Sequence, residues 1–191
     1  MFLNKMKTIS LRIVWFVVFG MFFLNACTED EDILPVNDQK TITTFEITFL
    51  PKSGGSPTTL KWQDLDGDGG NPPEITGGTF LADTDYSATM QLLNETTSEN
   101  ITLEILEQNN EHQFFFEYGS LFSNFAYEDK DGNDFPVGLA TSWTTASVGS
   151  GNFKVILRHH PNKSASGVTT GNSANAGGKT DIEVEFPITI E

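Results

Sequence analysis

From Thr41 to Glu191 apolar residues recur at every second position. Phe45, Ile47 and Phe49 alternate with Thr44, Glu46 and Thr48, and the pattern returns in Leu60 and Trp62, in Tyr86-Ala88-Met90-Leu92 and in Ile101-Leu103-Ile105. It continues through Phe114 and Phe116, Phe125 and Tyr127, Phe153-Val155-Leu157 and Ile182-Val184-Phe186-Ile188. Side chains of an extended strand point alternately to its two faces, so each segment carries one apolar and one solvated face. No stretch after residue 40 is read as helical. Clusters of Gly, Pro, Asn and Asp part the segments, which predicts an all-β fold, an antiparallel β-sandwich or a small barrel of about 8–10 strands. Pro187 stands on the polar parity of the last strand, where its missing N–H is tolerated at an edge or a bulge. Residues 41–191 are enough for a single β domain with its own core.

The segments also repeat. At an offset of 65 positions, Leu60 to Gly67 lies over Phe125 to Gly132, with an aromatic, two Asp and a Gly in register. Ala88, Met90 and Leu92 then meet Phe153, Val155 and Leu157 without a gap. This suggests a duplicated unit, with halves at about 41–108 and 109–191 and an Asp-Gly corner in each. His160 to Lys179 is a long run of small polar residues, a composition that favours a disordered loop.

Ahead of the β region, Lys5, Lys7 and Arg12 precede the 12-residue apolar run Ile13 to Leu24, which ends at Leu24-Asn25-Ala26-Cys27. This is the layout of a secretory signal over residues 1–26. As a helix the run would span roughly 18 Å, short of a hydrocarbon core of about 30 Å. The single cysteine of the chain, Cys27, stands where a lipoprotein signal places its lipid attachment, and lipidation explains an unpaired Cys in an exported protein. Residues 27–40 are mostly polar, open with an acidic cluster and read as a flexible tether.

Charge narrows the partners. Removing residues 1–26 takes away Lys5, Lys7 and Arg12 and no acid, which leaves 26 acidic against 8 basic residues and a formal charge near −18. Such a surface repels phosphate backbones, so nucleic acid is excluded and cations, glycans or basic proteins fit better. With one Cys there is no internal disulfide, and the core or bound ions must supply the stability.

Three constellations could carry chemistry. Asp64-x-Asp66-x-Asp68-Gly69 has the spacing of a calcium loop, with the Gly70 carbonyl as a further ligand, because alternate residues of a tight turn can aim carboxylates at one point. The competing reading is a polar Asp-Gly turn. The second copy offers Asp129 and Asp131, without the Gly. His112 and His159 share the parity of the core-facing Phe114 and Leu157, at the start of one strand and the end of another. An up-and-down strand order would gather them with Asp129 at one end of a sheet. They are either metal ligands or histidines capped at strand ends. No Gly-x-Ser-x-Gly, no His-Glu-x-x-His and no marked carboxylate pair is present, so the chain is not read as an enzyme.

The Cys27 motif with its acidic tether, the W-Q-D-L-D-G-D-G-G-N corner, E-H-Q-F-F-F at Glu111 to Phe116, R-H-H-P-N-K at Arg158 to Lys163 and G-G-K-T-D-I-E-V near the end together resemble a family of small flavobacterial (Bacteroidetes) lipoproteins. Its members are often called a type 1 periplasmic binding fold superfamily, and the resemblance implies no established activity. Type 1 periplasmic binding proteins are two-lobed α/β molecules, whereas this chain has one domain's worth of residues and no βα alternation. The resulting expectation is an exported lipoprotein of the outer membrane, on its periplasmic or cell-surface face. It would act as a non-enzymatic binding or structural module stabilised by calcium. The alternative is a metal or small-ligand carrier using His112 and His159, and a third reading is a carbohydrate-active enzyme.

Overall fold

The computed structural model describes residues 41–67 and 70–191. The signal segment, Cys27, the tether and Asp68 lie outside the described residues. In chain order the elements are β1 (Thr44–Pro51), β2 (Thr58–Gln63), β3 (Glu74–Thr76), β4 (Gly78–Phe80), β5 (Asp85–Leu93), the helix α1 (Ile101–Glu107), β6 (His112–Glu117), β7 (Phe122–Tyr127), β8 (Ala140–Thr145), β9 (Gly149–His159) and β10 (Lys179–Ile190). Six strands form one open sheet in the order β3-β2-β1-β5-β8-β7, and four form a second in the order β4-β10-β9-β6. All neighbours are antiparallel except β4 and β10, which run parallel over three residue pairs.

The two sheets face each other across the apolar rows that the alternation marks. Phe45 and Phe49 of β1, Tyr86 of β5 and Trp143 of β8 meet Phe114 of β6, Phe153 of β9 and Phe186 of β10 in one buried cluster. Phe49 alone lies within ring contact of Phe80, Phe122, Trp143 and Phe153, at centroid separations of 5.0 to 6.3 Å. Burying such rings supplies the stabilisation that a chain without disulfides requires, and a Phe→Ala change in this cluster costs about 3–5 kcal/mol. The fold is therefore an all-β sandwich, with no closed barrel.

Two local readings change. Ile101-Leu103-Ile105 is helical rather than extended: Ile101 and Ile105 are buried while Leu103 is exposed. A spacing of four suits both a strand and one helical face, and the local chain decides. Asn100 caps the helix by accepting from the Thr102 backbone N–H at 3.1 Å. Thr102 then ties it to the end of β5, its hydroxyl accepting from Leu92 N–H at 2.7 Å. The second change is at residues 160–178, which are folded. Two short 3₁₀ turns, Val168–Thr170 and Ser173–Asn175, lie there, and Val168 and Ala176 are buried against Phe115 and Ile156. The loop thus covers the outer face of the four-stranded sheet, which explains why Phe115 and Ile156 are apolar on the parity expected to be polar.

Pro187 fits its strand because β10 has a partner on its second side only from Ile188 onward, where β4 begins to pair. The offset carries β1 and β5 onto β6 and β9, and in each half that pair is hydrogen-bonded. It also carries β2 onto β7, yet β2 pairs with β1 whereas β7 lies in the other sheet from β6. The registers differ as well: Phe49 stands opposite Ala88, but Phe114 stands opposite Leu157 rather than Phe153.

Candidate functional site

At the first corner the described carboxylates serve their own turn. Asp64 Oδ1 accepts from Gly67 N–H at 2.8 Å, and Asp66 Oδ2 accepts from the backbone N–H of Asn71 at 3.0 Å and from its side-chain amide at 2.7 Å. These two bonds, the backbone one foremost, hold the Asp66 carboxyl below its ordinary range. Gly70 lies so close that a Cβ there would overlap the Asp66 carboxylate.

The second corner is wired into the fold. Asp129 takes three backbone N–H groups, Gly138 at 2.7 Å, Leu139 at 2.7 Å and Ala140 at 3.1 Å. Asp131 Oδ1 accepts from the N–H groups of Asn133 and Phe135, while Oδ2 receives the Lys163 ammonium at 2.8 Å. Lys163 also donates to the carbonyls of Asn109 and Pro136 at 2.7 and 3.1 Å. The side chains of Asp131 and Lys163 are 1% and 4% exposed, so this is a buried ion pair. Burial pushes the Asp131 carboxyl up, but Lys163 and the two N–H groups outweigh it and leave it below its ordinary value. The cation facing Asp131 is thus a lysine from the loop read as disordered, and both oxygens of Asp129 are taken by backbone donors.

The histidines do come together. His112 at the start of β6 and His159 at the end of β9 are directly paired across the strands, and their rings stack at 4.6 Å with planes 11° apart. His160 adds a third ring, stacked on His159 at 4.1 Å. Asp129 is not among them. Their carboxylates come instead from Asp181 and Glu111: His112 Nε2 lies 3.6 Å from Asp181 Oδ2, His159 Nδ1 lies 3.8 Å from Asp181 Oδ1, and His159 Nε2 lies 3.7 Å from Glu111 Oε2. Among the described residues, His112, His159 and Asp181 form one ligand-type group and Glu111, His159 and His160 another.

The local chain explains each placement. Thr180 stands opposite Arg158 and Ile182 opposite Leu157, so Asp181 is the extra residue of a bulge in β10. On an unbroken strand its parity would point it away from the inner face, and the bulge turns it toward the histidines. Glu111 immediately precedes β6, and its carbonyl accepts from His160 N–H at 2.7 Å, which closes the strand ends on each other. Gly178 makes the return into β10 possible, since it has φ +71° and a Cβ there would overlap the His159 carbonyl. The buried His112 ring has Nδ1 3.1 Å from the Gln108 carbonyl. A carbonyl only accepts, so that hydrogen bond assigns the proton to Nδ1 and leaves Nε2 facing Asp181.

A second feature lies at the open edge by β7. A cleft of about 420 Å³ is lined by Phe125, Tyr127, Asp129, Lys130, Thr169 and Thr170 among others. The Tyr127 hydroxyl donates to the Phe114 carbonyl at 2.6 Å, and burial pushes its pKa well above the ordinary value.

No protein-family model, curated protein or solved structure matches this chain.

Proposed function

We propose that the chain is a lipid-tethered β-sandwich that captures a divalent transition-metal ion of the zinc or copper(II) kind at the histidine rim, and that it binds the ion without turning over a substrate. The observation that carries this reading is the convergence of His112, His159 and Asp181 from three adjacent strands, with neighbouring ligand atoms 3.6 and 3.8 Å apart. Bonds of about 2.1 Å in a tetrahedral shell put neighbouring ligand atoms about 3.4 Å apart. The 3.6 and 3.8 Å distances run to different oxygens of Asp181, and one ligand atom from each residue lies within 4.8 Å of the others, so the side chains have to close in on a shared ion. Two imidazoles and one carboxylate suit zinc and copper(II) better than calcium or magnesium, which take oxygen shells. The near-parallel rings have to tilt for both lone pairs to meet one ion. His159, at a strand end and 20% exposed, is the ring that turns, while His112 is held by Gln108. Three protein ligands leave a coordination position open, which suits an ion that is taken up and passed on. The acidic balance of residues 27–191 raises the local cation concentration around the site.

Titration calorimetry of the purified chain with zinc tests the reading. Wild type should bind, and Asp181→Asn and His159→Ala should each weaken binding at least tenfold, as loss of a ligand requires. Equal affinity in all three proteins would remove the rim from the account. The tether rests on Cys27, and Cys27→Ser should release the protein from the outer-membrane fraction; a variant that stays there is held by something else. The cleft favours a second, independent reading as a glycan-binding surface, since it combines the rings of Phe125 and Tyr127 with the hydroxyls of Thr169 and Thr170. A glycan array on which wild type and Phe125→Ala give the same signal would sink that reading.

A further inference from the structure

The rim contains two ligand sets, and His159 belongs to both. Its Nδ1 faces Asp181 at 3.8 Å, on the side of the buried His112, and its Nε2 faces Glu111 Oε2 at 3.7 Å, an oxygen that also lies 3.8 Å from His160 Nε2. The two nitrogens of a single imidazole therefore point into different sets. A ring that gives one lone pair to each of two ions joins them as a bridge.

We infer that the rim binds two transition-metal ions bridged by the His159 ring. The inner ion sits on His112 Nε2, His159 Nδ1 and Asp181, and the outer ion on His159 Nε2, His160 Nε2 and Glu111. This rests on the metal-capture reading of the same site and adds its stoichiometry and order of filling. Charge favours the arrangement: two divalent ions bring four positive charges, and Asp181, Glu111 and the deprotonated ring supply three negative ones. The proton that the second ion displaces from His159 passes to water. Burial sets the order. The His112 and Asp181 side chains are 3% and 12% exposed, whereas those of His160 and Glu111 are 66% and 47% exposed. The inner ligands are already held in place, while the outer ones must be ordered from solvent, so the outer ion binds second and more weakly. His160 stacks on His159 with planes 21° apart and has to swing off the column to share an ion with it. As the exposed end of the column, it can do so without opening the core.

Copper(II) is the probe, because two copper ions on one imidazolate couple magnetically and lose electron spin resonance intensity. Equilibrium dialysis of the purified full chain against copper(II) should give two bound ions per chain, with an integrated signal less than half that of two isolated ions. The double variant Glu111→Gln, His160→Ala should bind one ion and recover the full intensity for it. Two bound ions at full intensity would mean separate sites and would overturn the bridge. One ion in wild type would remove the outer site and leave the capture reading intact, whereas no bound ion at all would remove both.

Discussion

At the second aspartate corner the carboxylates are consumed by the fold, while at the histidine rim the side chains face one another. Asp129 and Asp131 accept five backbone N–H groups between them, and Asp131 adds the Lys163 ammonium. His112, His159 and Asp181 arrive from three different strands and meet at 3.6 to 3.8 Å. The difference lies in where partners come from. A loop rich in Asp and Gly has its own N–H groups within reach and satisfies its carboxylates locally, so charge there becomes architecture. Strand ends gathered by sheet pairing present side chains to each other, so imidazoles and carboxylates meet there directly. It follows that changes at the second corner should alter stability whatever metal is present, and that changes at the rim should alter the transition-metal response.

The largest effect is expected at the second corner. Lys163→Met leaves the Asp131 carboxylate buried without its cation, a loss of about 3–5 kcal/mol, or roughly 10 °C in a chain of this length. The zinc-induced shift should survive that loss. Adding Asp131→Leu to Lys163→Met should recover much of the deficit, since an apolar pair costs less than a stranded charge. A melt of Lys163→Met in chelator that overlays wild type would break the comparison at its corner end.

Next in size is the rim. At about 100 times the dissociation constant a bound zinc ion adds about 2.7 kcal/mol, or roughly 5–10 °C. Asp181→Asn and His159→Ala, at least tenfold weaker, should cut that rise to about 1.4 kcal/mol or less and shift the chelator melt by no more than about 1 kcal/mol. If either change lowers the chelator melt as far as Lys163→Met does, the rim is architecture too.

The pH response gives a smaller effect with a defined sign. Asp131 has a lowered folded pKa, so its contribution is fully present above the unfolded carboxylate value of about 3.9 and is lost as pH falls through the folded value below it. In Lys163→Met burial acts with no ammonium to oppose it, so protonation relieves the variant instead. The stability gap between the two proteins should therefore narrow as pH falls, first as Asp131 of the variant protonates above the unfolded value of about 3.9 and further below it as the wild-type contribution is lost. A gap that stays constant from pH 6 to pH 3 would assign the Lys163 effect to packing.

The smallest effect belongs to the first corner. Calcium held by Asp64, Asp66, Asp68 and the Gly70 carbonyl would add about 1.4 kcal/mol at ten times its dissociation constant, with extracellular sites binding at roughly 0.1–1 mM. Asp66→Asn with Asp68→Asn should remove the rise. Identical wild-type melts in chelator and in about 10 mM calcium would make this corner a turn and nothing more.

Much of the fold was legible because period two is a direct record of which residues face the core, as in Phe45, Ile47 and Phe49. The helix was not, because Ile101 and Ile105 satisfy both periods and only the Asn100 cap with Thr102 separates them. The cover over the four-stranded sheet left a trace that alternation alone passes over. Phe115 and Ile156 are apolar on the wrong parity, and such double-sided strands need something folded onto both faces. At the rim, strand order brings His112 and His159 together, and that pairing follows from antiparallel geometry. Asp181 was hidden, since a bulge reverses the parity that a sequence displays. The aspartate spacing was plain at both corners, but spacing does not reveal that Lys163, 32 positions beyond Asp131, completes the second one.

On this reading a transition metal binds at the rim and not at a corner. Crystals of the purified chain grown with zinc, measured on both sides of the zinc absorption edge, test it most directly. The account predicts an anomalous peak about 2.1 Å from His112 Nε2, within bonding distance of His159 and Asp181. A peak at Asp64 and Asp66, or none near His112, would contradict it.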